Sequence, residues 1–153
     1  MQLAARTEAQ TEEFGARLAM ARPADVRFAV VFLSGGLGAG KTTLARGFLH
    51  ALGHSGVVRS PTYTLFECYE LGTITVVHAD LYRLQHPDEF EGLGLRDLAI
   101  AGHVWLIEWP QRGGHWLPAA DLDVTLTTEP AFHRIDLAPG SSLGEQWLAH
   151  TQS

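Results

Sequence analysis

A glycine-rich stretch followed by Lys and Thr carries the most recognisable chemistry in this sequence. Gly35 to Thr42 reads Gly-Gly-Leu-Gly-Ala-Gly-Lys-Thr and fits the phosphate-binding pattern G-x-x-x-x-G-K-[ST]. Glycines let the backbone curl around phosphate oxygens with its N–H groups pointing inward, and a helix N-terminus adds partial positive charge. Lys41 would reach the β- and γ-phosphates of a nucleotide, and the Thr42 hydroxyl would ligate Mg²⁺. The stretch predicts a nucleotide-binding protein, with a chance match of a glycine-rich turn as the alternative.

The residues on either side of this loop supply the strand and the helix that phosphate binding requires. Phe28 to Leu33 is a short apolar run rich in β-branched and aromatic residues, which is typical of a buried strand. After the loop, Leu44, Phe48 and Leu52 recur at helical spacing. Lys41 is the only Lys among the 11 Lys and Arg residues of the chain. A compact ammonium group therefore stands where a phosphate ligand is expected.

Two carboxylates follow apolar runs, where a nucleotide hydrolase needs further groups around its phosphates. Glu108 comes directly after Val104 to Ile107, and Asp80 follows Ile74 to His78. At the carboxyl ends of parallel strands such acids lie beside the phosphate loop, where they can bind Mg²⁺ or orient water. We expect Glu108 to be the better match to the acid that anchors the metal. A solvent-facing strand end (Glu108) or a turn residue (Asp80) is the alternative for each acid. His78-x-Asp80 alone is a weak metal signal, because Mg²⁺ prefers oxygen ligands.

Ser60 to Thr64 reads Ser-Pro-Thr-Tyr-Thr and is rich in hydroxyl groups. It lies downstream of the predicted helix, where many phosphate-loop proteins place a segment that orders around the γ-phosphate. A plain connecting loop is an interpretation of similar weight. Tyr82, Arg83 and Trp109 are each more typical of packing or surface positions, although Arg83 could also stabilise phosphate charge or contact a partner.

Length and composition indicate one ordinary globular domain spanning residues 1–153. With 46% hydrophobic and 18% charged residues, a chain of 153 residues has enough core to fold alone. No apolar run is long enough to cross a bilayer, so we expect no membrane partner. A single Cys68 excludes an intramolecular disulfide and a cysteine-based zinc site, which favours a reducing, cytoplasmic location. The net charge of −6 indicates that this chain does not bind nucleic acid by itself, since such binding requires a clustered basic face.

Periodicity and turn residues predict the remaining elements. Thr7 to Ala21 favours an opening helix, with Thr7 and Gln10 as a capping box or Thr11 as the cap. Pro87 opens a later helix, and Ser141 or Ser142 caps a terminal one. Two hairpins are expected, with strands over 64–69 and 74–78 and over 121–127 and 132–138. These elements predict an α/β fold, a P-loop NTPase domain whose mixed sheet has a parallel core, antiparallel edge strands and helices on both faces.

Taken together, the motifs resemble the TsaE (YjeE) family, bacterial P-loop ATPases required for threonylcarbamoyladenosine in tRNA. The matching segments follow the order and spacing of that family and span nearly the whole chain. They are Leu37 to Thr43, Arg46-Gly47, Ser60 to Tyr63, His78 to Leu84, Leu93 to Leu95 and Ile107 to Pro110. Two departures are Gly36, where an acidic residue is usual, and Ala79, where a bulkier residue is usual. Neither removes a phosphate or metal ligand.

The resemblance implies an ATPase that requires Mg²⁺, is weak when isolated and is activated by the TsaB–TsaD complex. TsaD transfers the threonylcarbamoyl group to adenosine, so this chain would meet tRNA only indirectly, through that complex. Lys41, Asp80 and Glu108 would carry catalysis. Thr42 and Glu108 would bind Mg²⁺, with Asp80 beside the metal or ligating it through water. The positions implied near ATP are Thr11, Gly35, Leu37, Gly38, Ala39, Gly40, Lys41, Thr42, Thr43, Trp109 and Arg134.

Two other functions remain open from the sequence. A small-molecule kinase of the P-loop type would need an acceptor pocket and an Arg-bearing lid, for which only Arg112 is a candidate. A nucleotide-gated binding module would use ATP to order a partner-binding surface without turnover. Glu108 and Asp80 argue against the module, because a pure binder does not require a second carboxylate at the phosphates.

Overall fold

The computed structural model describes residues 1–24, 27–61 and 63–153, which form one mixed sheet with three α-helices. The helices are α1 (Glu8–Met20), α2 (Lys41–Ala51) and α3 (Ser142–Gln152). The strands are β1 (Gln2–Ala5), β2 (Phe28–Ser34), β3 (Phe66–Leu71), β4 (Ile74–Asp80), β5 (His103–Glu108), β6 (Leu122–Thr128) and β7 (His133–Pro139). Their order across the sheet is β1-β7-β6-β2-β5-β4-β3.

Strand direction divides this sheet into a parallel centre and antiparallel edges. β6, β2, β5 and β4 pair in parallel, while β7 and β1 on one side and β3 on the other pair antiparallel. The central strands are apolar on both faces, as strands covered on both sides must be. The predicted mixed sheet with antiparallel edges is confirmed.

The three α-helices all pack on one face of the sheet. Phe14 and Leu18 of α1, Phe48 of α2 and Trp147 of α3 are buried there against the central strands. The indole N–H of Trp147 donates to the Leu18 carbonyl at 2.8 Å, which ties the chain's last helix to its first. Burial of this apolar surface is what stabilises the layer.

Short 3₁₀ helices and loops cover the opposite face. The 3₁₀ helices span Pro87–Leu93, Leu95–Leu98, Pro110–Arg112 and Gly114–Trp116. Phe90 and Leu95 pack here against Trp105 and Ile107 of β5. Helical segments therefore cover both faces as predicted, but the α-helices lie on one face only.

Two glycines allow α1 and α2 to approach each other closely. A Cβ at Gly15 would lie 2.1 Å from the Leu44 carbonyl oxygen, and a Cβ at Gly47 would lie 1.9 Å from the Glu12 carbonyl oxygen. Any larger residue would push the helices apart. The pair therefore sets the position of α2, whose N-terminus follows the phosphate loop.

Several local predictions are confirmed and three are corrected. Thr7 caps α1 by accepting from the Gln10 amide, and Ser141 caps α3. The turn between β3 and β4 is Gly72-Thr73, so residues 70 and 71 belong to β3 rather than to the turn. The helix opened by Pro87 is 3₁₀ rather than α, and β1 was not expected.

Candidate functional site

The phosphate loop joins β2 to α2 through backbone conformations that favour glycine. Gly38 has φ of 76° and Gly40, at the N-cap of α2, has φ of 106°. Both values lie in the left-handed backbone region that residues other than glycine rarely adopt. A Cβ at Gly35 would lie 2.4 Å from the Leu126 carbonyl oxygen of β6. Gly35, Gly38 and Gly40 are therefore required by backbone shape or by close packing.

Lys41 is the first residue of α2, and its side chain folds back over the loop. Its ammonium donates to the Gly35 and Gly36 carbonyls at 2.7 Å each and lies 4.6 Å from the centre of the Trp109 ring. Burial lowers the pKa of Lys41 from its ordinary value of 10.5, and the charges of Glu108 and Asp80 partly oppose this. The loop thus holds a partly desolvated cation at its centre.

Glu108 ends β5 beneath the N-terminus of α2 and is 2% exposed. The Thr42 hydroxyl lies 3.1 Å from each of its two carboxylate oxygens. A hydroxyl has one proton, so Thr42 donates to one oxygen at a time. The pair brings together the two predicted metal ligands that come from the loop and from the strand.

His78 of β4 contacts the same carboxylate and is the main residue that the sequence interpretation undervalued. Its Nε2 lies 2.6 Å from Glu108 Oε2, and the ring is fully buried. His78 and Asp80 are two residues apart on one strand and therefore point to the same face. Because β4 is a central parallel strand next to β5, that spacing is the sequence signal from which the position of His78 near Glu108 could have been predicted.

Asp80 ends β4 opposite Glu108 in the register of the two strands. The Ser60 hydroxyl donates to Asp80 Oδ2, and the Tyr82 amide donates to Oδ1 at 2.9 Å. The hydroxyl-rich segment thus reaches the site through Ser60, although its Thr62 lies outside the described residues. Asp80 is positioned by both neighbours and does not contact Thr42 directly.

A cavity of about 270 Å³ collects these groups. It is lined on one side by the phosphate loop and on the other by the ends of β4 and β5. The predicted site residues that line it are Leu37, Gly38, Gly40, Lys41, Thr42, Thr43, Asp80, Glu108 and Trp109. Trp109 adopts a left-handed backbone, with φ of 56°, that directs the chain around the cavity rim.

A second cavity of about 250 Å³ lies on the other side of the loop. Thr11 of α1, which the family resemblance implies near ATP, lines it together with Gly38, Gly40 and Thr43. His133 of β7, which the sequence interpretation did not single out, also lines it and donates from Nδ1 to the Ala39 carbonyl at 2.6 Å. This contact pins the loop to the sheet.

Arg134 does not line either cavity among the described residues. Its guanidinium pairs with Glu129 at 2.6 Å and with Asp136 at 3.0 Å. Adjacent strand residues point to opposite faces, and His133 points toward the phosphate loop. A role for Arg134 near a nucleotide therefore stays a prediction.

The donor atoms of the first cavity fit a hard cation such as Mg²⁺. Thr42 and Glu108 offer a hydroxyl and a carboxylate within reach of one point, and Asp80 offers a further carboxylate nearby. Among residues 1–24, 27–61 and 63–153, no three His, Cys, Asp or Glu side chains are grouped to hold an ion alone. Mg²⁺ is commonly bound by one or two protein carboxylates together with waters and substrate phosphates.

A glycine loop between a parallel strand and a helix, with a Lys and a strand-end carboxylate beside it, defines the class of P-loop proteins. The sequence model for "Threonylcarbamoyl adenosine biosynthesis protein TsaE" matches residues 5–135. The chain therefore belongs to the TsaE family.

Individual relatives agree with this assignment. The chain is 45% identical over 120 residues to the tRNA threonylcarbamoyladenosine biosynthesis protein TsaE of Haemophilus influenzae, covering 78% of this chain and 76% of the relative. The Bacillus subtilis protein of the same name is 39% identical over 108 residues, covering 71% and 65%. A crystal structure of Bacillus subtilis YdiB superposes with a TM-score of 0.80 and 25% identity, covering 99% of this chain and 93% of that one.

The described part of the chain contains no helix with the length and apolar character of a membrane span.

Proposed function

We propose that this chain binds and hydrolyses ATP with Mg²⁺ and acts in threonylcarbamoyladenosine biosynthesis on tRNA. The observation that carries the proposal is the convergence of Lys41, Thr42 and Glu108 in one cavity under the N-terminus of α2. Family membership and the names of the relatives support the pathway. The Thr42 hydroxyl and the carboxylates of Asp80 and Glu108 in the cavity support metal binding and hydrolysis.

The phosphate loop supplies the binding energy for the triphosphate. Its N–H groups and the N-terminus of α2 favour negative charge. Lys41 would exchange its bonds to the Gly35 and Gly36 carbonyls for bonds to phosphate oxygens. Each new bond would join two charged groups, whereas the bond it replaces joins the ammonium to a neutral carbonyl.

The strand-end carboxylates provide for hydrolysis. Thr42 and Glu108 would hold Mg²⁺, which when bound neutralises charge on the phosphates. Asp80 is fixed by Ser60 and the Tyr82 amide, so its carboxylate is oriented toward the same cavity. We assign it the positioning of the attacking water or of a metal-bound water.

Partner activation by the TsaB–TsaD complex forms the second half of the proposal. In the described structure Lys41 is engaged by the loop's own carbonyls, so the catalytic arrangement requires those bonds to be exchanged. A partner that binds the exchanged arrangement better would raise the rate by shifting this equilibrium. Hydrolysis would in turn support turnover of the partner complex.

The experiment that tests this function is ATP hydrolysis by the purified chain with Mg²⁺, alone and with TsaB–TsaD added. We expect slow release of inorganic phosphate by the chain alone and a clear rise with the pair. Tight ATP binding without hydrolysis in both conditions would contradict the proposal and favour a nucleotide-gated binding module. Transfer of labelled phosphate to a metabolite rather than to water would favour a kinase.

A further inference from the structure

Glu108 has a buried partner with no role in the function proposed above. His78 of β4 is 0% exposed, and its Nε2 lies 2.6 Å from Glu108 Oε2. This separation is at the short end for hydrogen bonds and is typical of bonds to a charged group. A histidine this deep in a parallel sheet needs a specific reason, because buried polar groups cost free energy unless they are bonded.

The sheet itself creates the contact. His78 pairs with Leu106 in the parallel register of β4 and β5, and Asp80 pairs with Glu108. His78 and Glu108 therefore lie diagonally on the helix-covered face, two residues apart in register, where long side chains meet. The position of His78 is fixed by backbone pairing on a central strand.

The proton of this hydrogen bond belongs to His78. An ionised carboxylate only accepts hydrogen bonds, so Nε2 must carry the hydrogen that points at Glu108. Among the described residues, His78 Nδ1 has no hydrogen-bond partner. The bond to Glu108 is therefore the one hydrogen bond that holds the His78 ring among the described residues.

We propose that His78 is a positioning residue that holds the Glu108 carboxylate in the orientation that ligates Mg²⁺. Its N–H binds Oε2, and the Thr42 hydroxyl lies 3.1 Å from each carboxylate oxygen. Carboxylates that bind metals are oriented by such outer partners, whose loss typically weakens metal affinity or activity roughly 10- to 100-fold. The inference rests on the proposed metal role of Glu108.

Metal binding tests this role without relying on hydrolysis. Mn²⁺ replaces Mg²⁺ as the probe, and free Mn²⁺ is measured by electron paramagnetic resonance during titration of the protein with ADP present. We expect His78→Leu, which keeps the volume but removes the donor, to raise the half-saturating Mn²⁺ concentration by about tenfold or more. His78→Gln carries an N–H at comparable reach and should stay within about threefold of the original protein.

Matched variants separate positioning from general damage. His54→Leu removes another histidine whose Nε2 is buried without a partner among the described residues, and it should leave Mn²⁺ binding unchanged. Metal-free ADP binding should be equal in all variants. If His78→Leu does not fold, as judged by its circular dichroism spectrum, His78→Met provides a flexible apolar replacement without a donor.

Different results contradict different claims. Equal Mn²⁺ binding by His78→Leu and the original protein would overturn the positioning role. Equal weakening by His78→Leu and His78→Gln would also overturn it, because a hydrogen-bond donor would not have rescued binding. Absence of ADP-dependent Mn²⁺ binding in the original protein, or full binding by Glu108→Gln, would instead contradict the proposed metal function.

Discussion

Glu108 is a carboxylate that is 2% exposed and is surrounded by polar groups. Thr42 and His78 donate hydrogen bonds to it directly, and its charge interacts with the ammonium of Lys41. Isolated burial of such a charge would cost many kcal/mol, so these partners are a condition for having it there. The arrangement brings the Lys41 ammonium and the carboxylates of Glu108 and Asp80 together at the phosphate loop.

At this scale the first prediction concerns Lys41. We expect Lys41→Ala to weaken ATP binding by about 100-fold or more, because hydrogen bonds to charged phosphate oxygens contribute about 1.5–3 kcal/mol each. Isothermal titration calorimetry measures the loss. Arg96→Ala removes an exposed cation paired with Glu91 and should bind ATP normally. Unchanged affinity in Lys41→Ala would contradict the loop's role.

A second residue-scale prediction concerns the thiol of Cys68 on β3. Burial raises its pKa above the ordinary value of 9.0, with Glu70 and Glu67 adding to the shift. Because only the thiolate is nucleophilic, alkylation by iodoacetamide should be slow at neutral pH and should increase with pH with a midpoint above 9.0. The rate profile measured by mass spectrometry checks this, and a midpoint below that value would be inconsistent with the surroundings of Cys68.

Some site residues could be predicted from the sequence and others could not, for a physical reason. Lys41, Thr42 and Glu108 lie in local patterns whose chemistry depends on neighbours in the chain. The contacts of His78 and His133 join elements that become neighbours only when the sheet forms. Their signal was strand alternation, which becomes informative only when the pairing partners are known.

Among the elements, α2 depends most on its neighbour α1. Gly15 and Gly47 bring the two backbones into contact, and Arg46 of α2 pairs with Glu8 and Glu12 of α1 across their exposed side. The exposed ion pairs add little stability by themselves. The glycine contact therefore fixes where the N-terminus of α2, and with it Thr42, meets β5.

The element-scale prediction follows from that contact. Gly47→Ala should lower the free energy of unfolding by about 1–3 kcal/mol, because its Cβ would overlap the backbone of α1 at Glu12. Gly92→Ala is the control, since a Cβ at Gly92 meets nothing within 4 Å. Urea denaturation of both variants measures the difference. Equal stability of Gly47→Ala and the original protein would show that α1 can move away freely.

Element prediction succeeded where periodicity was strong and failed where the structure is set by tertiary pairing. The β2 run, α1 with its Thr7 cap and the two hairpins were recognisable from local sequence. Gln2–Ala5 has no strong strand signal and becomes β1 only by pairing with β7. The segment opened by Pro87 carries acidic first-turn residues typical of a helix, yet Gly94, with φ of 76°, ends it after a short 3₁₀ stretch.

For the whole molecule, the sheet order decides which loops meet. β2 lies between β5 and β6, so the phosphate loop leaves the sheet beside Glu108 and beneath the β6–β7 hairpin that carries His133. This arrangement puts the cavity lined by Asp80 and Glu108 at the carboxyl ends of the parallel strands, where open α/β sheets bind ligands. The two cavities share Gly38, Gly40 and Thr43 of the loop and the start of α2 as lining residues.

The net charge gives the prediction at this scale. With a net charge of −6, the chain should repel a polyanion. We therefore expect that tRNA binding by the chain alone is too weak to reach saturation at physiological salt. The same tRNA should be retained when TsaB–TsaD is present. Filter binding with labelled tRNA makes the comparison. Tight binding by the chain alone would contradict the indirect contact with tRNA that the family resemblance implies.

In the proposed function, Glu108 serves turnover rather than nucleotide binding. The most direct test compares Glu108→Ala with the original protein for ATP affinity by calorimetry and for phosphate release with TsaB–TsaD and Mg²⁺. Metal ligands contribute several kcal/mol to the transition state, so we expect hydrolysis to fall by about 100-fold or more. ATP affinity should change by less than about tenfold, because the phosphate loop is left intact. Full turnover by Glu108→Ala would contradict the proposed role of Glu108 in hydrolysis.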